Sequence, residues 1–364
     1  MEILHKGSFG EVLWRKGDTL VLEFSKERKI CSTSPLNGGL AEGIRAIFNQ
    51  TTPKVETASE LPGGNLKAYL IYIAEQLGFN AVQTSGLLTA ANQRNAVFNS
   101  FSFRELEVLA VATAGVDYNG GQAGDPASYY ETNDQFELFH GTINVLLSIN
   151  ANLSPSALLR GMMTVTEAKS AALLELLAPS CYSKEIATGS GTDGVILAVD
   201  PGSKLHLTDG GLHSKLGELI GLTVKKTVKE ALALETGFTP KRQLNVLARL
   251  KRFKIDKNLL WRDFQETHKG LLPQDQYMGL LAVISEEQEL VALVSCLLHL
   301  ADQLRWGLLS EETALEVAYR LVGTKIHKQE IMPLFKECKT EISIETALIK
   351  MLNILIWQKT RDGN

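Results

Sequence analysis

Past Gly237 the sequence loses every β pattern. Before that glycine, short apolar runs of strand length alternate with helical periodicities. After it, from Thr239-Pro240 onward, the segments 240–252, 274–303, 309–322 and 340–358 all carry helical spacing. A chain that changes period in this way reads as two layered units rather than one. The expectation is an α/β domain over 1–237 (α+β layered, a mixed sheet flanked by helices) and a second, all-α domain over 238–364. At 364 residues the chain is long enough to give each its own core.

Within the first domain, GEVLWRKGDTLVLEF has two apolar runs around Lys16-Gly17-Asp18 and predicts a β-hairpin. STSPLNGGLAEG, 32–43, reads as a loop. NLKAYLIYIAEQL, 65–77, has helical periodicity and stops at Gly78. LEVLAVATAGV, 106–116, reads as a buried strand, as do GTINVLLSIN, 141–150, and GVILAV, 194–199. The segment 154–179 is a long helix with Ser154 as its cap and Pro155 at its first position. A second long helix runs to about Glu235 and ends at Gly237.

GSGTDG, 189–194, satisfies the G-x-G-x-x-G dinucleotide fingerprint letter for letter. That fingerprint works only when a strand leads into the glycines and a helix leads out, with its N-terminal amides on the pyrophosphate. Here the order is reversed, because Gly194 leads into VILAV. The reading left is a tight Gly/Ser/Thr/Asp turn, or a loop whose backbone approaches a polar ligand closely. KGSFGEV near the start likewise mimics a kinase glycine loop without the other kinase motifs.

Four cysteines (Cys31, Cys181, Cys296, Cys338) lie far apart, and the seven histidines are scattered. The expectation is no disulfide framework, no metal site and no cofactor. No apolar run reaches about 18 residues, so no membrane span is expected, and MEILHKGSFGEVLW lacks an apolar signal core. A net charge of -4 gives no global attraction to nucleic acid. The basic run 241–257 has seven cations against Asp256 and reads as a solvated helix face rather than a nucleic-acid surface. A cytoplasmic enzyme or binding protein follows; the oligomeric state stays open, a homo-oligomer among the options.

Two sets of residues stand out as oddities. In the helix after Ser154, Glu167 and Lys169 are, besides Arg160, the charged residues between Ser156 and Leu174, in a stretch where apolar or small side chains cover nearly every face. Such charges need partners, and two residues apart they cannot pair with each other. In the later helix, His213, Gly217, Ile220, Gly221 and Val224 share a face. Two glycines four apart suit a close approach by another backbone or a flat ligand. His213 at the first turn would be favoured in its neutral, basic form.

VATAGVDYNGGQAGDP, GTINVLLSINANLSPSAL, TVTEAKSAALLEL, ATGSGTDGVILAV and HSKLGELIGLTV resemble, in this order, the signature stretches of the adenosylcobinamide amidohydrolase family. SPLNGGL near the start agrees, and the resemblance covers roughly 5–235. It implies a hydrolase that cleaves the amide joining aminopropanol to the corrin side chain of adenosylcobinamide, giving adenosylcobyric acid in cobinamide salvage for cobalamin biosynthesis. Cobalt then arrives as part of the corrinoid substrate. The pattern departs at Asp117, where the family has a serine.

From the matching blocks, the candidate general base is His213 or Glu167, and the nucleophile is Thr142, Thr192 or a water. Asn144 with the amides of Gly189–Gly191 would hold the oxyanion. Asp193 and Asp125 would orient a base or bind the aminopropanol hydroxyl, Lys169 would protonate or position, and Gly217 and Gly221 would face the corrinoid. Each also has a structural role open to it, with Thr142 and Asn144 pairing within the sheet and Asp125 capping a turn. The glycine loop and strand also resemble aminopeptidase and ornithine acetyltransferase folds, whose members use an autoprocessed N-terminal Thr or Ser. The rival reading is a corrinoid-binding or sensing protein without hydrolysis, for which Asp117 and the appended helical domain leave room.

Overall fold

A computed structural model describes residues 1–55, 57–127, 142–268, 270–326 and 343–362. The chain divides between Thr239 and Pro240 into two compact units.

The first unit is built on one curled, mixed sheet of nine strands: β1 (Glu2–Lys6), β2 (Glu11–Lys16), β3 (Thr19–Ser32), β4 (Gly39–Thr51), β5 (Thr84–Thr89), β6 (Val97–Phe103), β7 (Leu106–Ala114), β8 (Ile143–Ile149) and β9 (Gly194–Val199). The order is β1-β2-β3-β9-β8-β7-β6, with β4 on β3 and β5 on β4. β8 pairs parallel with β9, and β4 with β5; the other pairings are antiparallel. β3 causes the curl. Its first half pairs with β2 and its last four residues with β9, and its ladder to β4 slips register between Glu23 and Arg28. A bulge of this kind bends the strand and turns the sheet.

The expected hairpin is present: Gly17 sits at φ +58° and Lys16 pairs with Thr19. The loop expected over 32–43 is shorter, because β4 already starts at Gly39. Its first residues are largely exposed and Gly43 sits at φ +75°, so this end carries no apolar alternation for a sequence to display. β4, β5 and β6 were not expected as strands.

Three helices flank this sheet. α1 (Leu66–Gln76) is capped by Asn65, α2 (Pro155–Glu175) by Ser154, and α3 (Lys215–Thr236) by Ser214. α3 stops where Gly237 takes the left-handed conformation, φ +65°. α2 lies in the connection between parallel strands β8 and β9, which a tight turn cannot make. β7, β8 and β9 are buried on both faces, hence their near-continuous apolar runs. Val145, Leu147 and Leu197 pack toward α2 and α3, while Val111, Leu146 and Ile196 pack toward β2–β5. α1 covers Val21, Ala46 and Phe48 with Leu70 and Ala74.

The two helical glycines separate here. A Cβ on Gly217 would fall 2.0 Å from Gly211 O, so this glycine exists to let the 210–211 turn close on α3. A Cβ on Gly221 would meet nothing within 4 Å. Gly217→Ala is therefore expected to destabilise by about 1–3 kcal/mol or more. Gly221→Ala should be neutral or gain up to about 1 kcal/mol of helix propensity. Urea unfolding of the two variants distinguishes these outcomes.

The second unit is helical among its described residues: α4 (Val246–Leu250), α5 (Lys257–Thr267), α6 (Gln274–Ser285), α7 (Gln288–Arg305), α8 (Glu311–Val322) and α9 (Ile344–Asp362). The helix expected over 274–303 is two helices, broken at Glu286-Glu287, where Glu287 is extended at ψ 115° with no Gly or Pro to announce it. α5 was unexpected, and the start of the 340–358 segment and Cys338 lie outside the described residues. The basic run is not wholly solvated. Arg252 is buried and forms a two-pronged ion pair with Asp302, while Arg249 donates to Gln243 O at 2.8 Å.

Candidate active site

A cleft of about 450 Å³ opens where β8 and β9 begin and β4 and β5 end. Leu66 and Leu70 of α1, with Pro53, Val55, Leu87 and Leu88, give it apolar walls, and Thr142, Asn144, Thr192, Asp193 and Gly194 line its other side. A pocket of this size sits in the lower part of the range for small-molecule sites.

Six threonines line the cleft, and most are committed to backbone. Thr51 Oγ1 donates to Ala91 O, Thr52 Oγ1 donates to Thr89 O, Thr89 Oγ1 accepts from Ala91 N, and Thr33 Oγ1 accepts from Val195 N. Thr142 and Thr192 differ in being paired, although Thr142 too reaches backbone. Their hydroxyls bond to each other, and Thr142 Oγ1 also reaches Thr192 O at 2.6 Å. These are the two lining hydroxyls that share a bond.

Asp193 fixes this corner. Its carboxylate accepts from Ile143 N at 2.9 Å, Ser190 N at 3.0 Å, Ser190 Oγ at 2.6 Å and the Lys169 ammonium. One side chain thus ties the 189–193 turn to the start of β8 and to the middle of α2. Lys169 is 7% exposed, so the pair is a desolvated one whose members depend on each other. With four donors, the carboxylate is suited to holding geometry rather than to taking a proton. Lys169 itself does not line the cleft.

The glycines of the hexad follow from this pair. A Cβ on Gly189 would lie 2.4 Å from Asp193 Oδ2 and 2.6 Å from Lys169 Nζ, whereas one on Gly191 would touch nothing within 4 Å. Gly189→Ala is expected to cost about 1–3 kcal/mol and Gly191→Ala to stay within about 0.5 kcal/mol; thermal melts of both variants check the contrast. Nor does the hexad open a helix. Gly189-Ser190 pairs with Gly120-Gly121, and Gly194 starts β9.

Asn144 is buried with its amide orientation pinned: Nδ2 donates to Leu88 O at 2.8 Å and to Asn49 Oδ1 at 2.8 Å. Both donors are spent, so it has none to give an oxyanion. The Ser190 amide is likewise committed to Asp193.

The remaining candidates lie elsewhere. Glu167 is exposed on α2, because residues two apart on a helix point to opposite sides and Lys169 takes the inner one. α2 is thus less enveloped than its composition implied, with Leu159, Met163 and Leu174 also exposed. His213 is exposed in the turn just before Ser214. The adjacent Gly211 faces Arg160, nine residues and about 13.5 Å along α2 from Lys169. The preceding pair His206-Leu207 bonds to Asn152-Leu153, beyond the far end of β8. Gly217 and Gly221 lie on α3, just after His213, and do not line the cleft. Asp125 accepts from Gln122 N at 2.7 Å and Ser180 Oγ at 2.6 Å, which fixes the loop holding Gly120-Gly121 against Gly189-Ser190. Asp117, the departure from the family pattern, does not line the cleft either.

Sequence reasoning missed β4 and β5, and it expected α1 as a helix without placing it at the site. Thr51-Thr52-Pro53 and Leu87-Leu88-Thr89 end strands that were not recognised, so nothing marked them as lining residues. Among the described residues, no three His, Cys, Asp or Glu side chains converge to hold a metal ion. No described helix is long and apolar enough to cross a membrane. Cys31, Cys181 and Cys296 are not in disulfides.

A family model described as adenosylcobinamide amidohydrolase matches residues 2–240. An uncharacterized protein of Methanocaldococcus jannaschii is 33% identical over 232 residues, 59% of this chain and 85% of that one. An adenosylcobinamide amidohydrolase of Methanosarcina mazei is 29% identical over 229 residues, 60% of this chain and 96% of that one. Among solved structures, a β-aminopeptidase of Burkholderia sp. aligns over 71% of this chain and 90% of its own at 14% identity, with a TM-score of 0.29, a likeness that carries no argument.

Proposed function

The chain belongs to the adenosylcobinamide amidohydrolase family, and from that premise we propose that its first unit hydrolyses the aminopropanol amide of adenosylcobinamide. The products are adenosylcobyric acid and aminopropanol, and the place of the reaction is corrinoid salvage in the cytoplasm. The observation that carries this reading is the meeting of Thr142, Thr192 and Asp193 on one cleft, all three drawn from the blocks that carry the family resemblance.

The reaction is built on the hydroxyl pair of Thr142 and Thr192. The corrinoid lays its amide arm into the cleft, apolar walls around the arm and the macrocycle outside. Thr142 Oγ attacks the amide carbonyl; the C–N bond breaks, and the hydroxyl proton passes through the Thr142–Thr192 pair to the departing nitrogen. Water then splits the resulting ester, restoring the threonine and releasing the carboxylic acid. One water is consumed per amide. Asp193 and Lys169 take no proton in this scheme; they hold the turn and strand that set Thr142 against Thr192. The general-base role expected of His213 or Glu167 is not carried into it, since neither side chain lines the cleft.

Incubation of the purified chain with adenosylcobinamide, followed by mass spectrometry, tests the proposal. The expected result is adenosylcobyric acid and aminopropanol in equal amounts. A corrinoid bound but recovered unchanged would overturn it and leave a binding protein.

A further inference from the structure

Asn144 carries a feature that the hydrolysis scheme leaves unused. The residue is 1% exposed, and Oδ1 finds no hydrogen-bond partner among the described residues. The orientation is not interchangeable, because Leu88 O is a carbonyl and must face the amide's NH2. An acceptor shut away from water without a donor is costly, and native proteins rarely leave one. Its position is also defined. Asn144 and Gly194 are cross-strand partners that both line the cleft, and an atom placed where a Gly194 side chain would start lies 2.8 Å from Oδ1. That same point lies 2.8 Å from Leu87 Cδ2 and 3.0 Å from Leu87 Cδ1, so the leucine side chain, which can rotate, borders the same spot.

We infer that Asn144 Oδ1 is a specificity-determining acceptor for the N–H of the scissile amide, exposed as Leu87 turns aside for the substrate arm. The inference rests on the hydrolysis proposed above and deepens it. It reverses the role expected of Asn144, from a donor to the oxyanion to an acceptor from the nitrogen. It also defines a substrate class: secondary amides are taken, while ester and N-alkylated linkages of the same shape meet an oxygen with no hydrogen to share.

The test compares adenosylcobinamide with an analogue carrying an ester oxygen in place of the amide N–H, on the wild-type chain and on Asn144→Ala. Intrinsic reactivity cancels when the amide-to-ester ratio of kcat/KM is compared between the two proteins. The expected result is a fall in that ratio of about 10- to 100-fold in the variant, the range for removing one partner of a buried hydrogen bond. A ratio unchanged within about threefold overturns the assignment, while leaving hydrolysis itself intact. If Asn144→Ala fails to fold by circular dichroism, the wild-type chain decides through binding. The N-methylated amide should bind at least about 10-fold more weakly than adenosylcobinamide, and equal affinity overturns the inference. Hydrolysis of neither linkage by the wild-type chain would sink the proposed reaction alone, and the same binding comparison would still decide the role of Asn144.

Discussion

Thr142→Ala should slow aminopropanol release at least about 1,000-fold, because removal of an attacking group leaves only the catalysis that binding supplies. Thr142→Ser should retain most of the rate. The serine keeps the hydroxyl that meets Thr192 and loses only a methyl. The distinction separates chemistry from packing: a structural threonine would tolerate alanine better than this, and its loss would appear in stability. Rapid quenching adds a second readout, since the wild-type chain should pass through a species heavier by the corrinoid acyl group, absent from Thr142→Ala. Equal rates for alanine and wild type would remove Thr142 from the mechanism.

Asp193→Ala should destabilise the first unit by about 3–5 kcal/mol, the usual cost of stranding a buried charge. The Lys169 ammonium would then lie in the helix interior with its carboxylate gone, and the 189–193 turn would lose its tie to Ile143. Lys169→Met should cost less. It leaves Asp193 with the Ser190 and Ile143 donors and places an apolar side chain in an apolar helix. The asymmetry between two halves of one ion pair is the signature, and urea midpoints of the two variants report it. Equal, small shifts in both would mean that the pair is solvated.

Much of the first unit was legible in the sequence because its local rules agree with one another. Ser154-Pro155 opens α2, Gly237 closes α3, and the apolar runs of β7, β8 and β9 match strands buried on both faces. β4 went unrecognised, its exposed start at 39–43 reading as part of the preceding loop, and with it and β5 went half the cleft. The site divided along the same line. Lys169 could be singled out because a lone charge in an apolar helix demands a partner, and that partner proved to be Asp193, 24 residues on. Glu167 raised the same alarm but lies on the solvent side, a difference of helix phase that composition alone does not reveal. Gly217 reads like a ligand face, yet serves a backbone crossing at Gly211. Asn144 could be named, but only its hydrogen bonds to Leu88 and Asn49 tell an acceptor from a donor.

The whole reading stands on where a corrinoid would put its amide arm. Crystals of Thr142→Ala grown with adenosylcobinamide should trap the uncleaved substrate with its aminopropanol amide in the cleft between α1 and the starts of β8 and β9, the carbonyl carbon over the missing hydroxyl. Density for that amide beside His213, at the far end of β8, would contradict it.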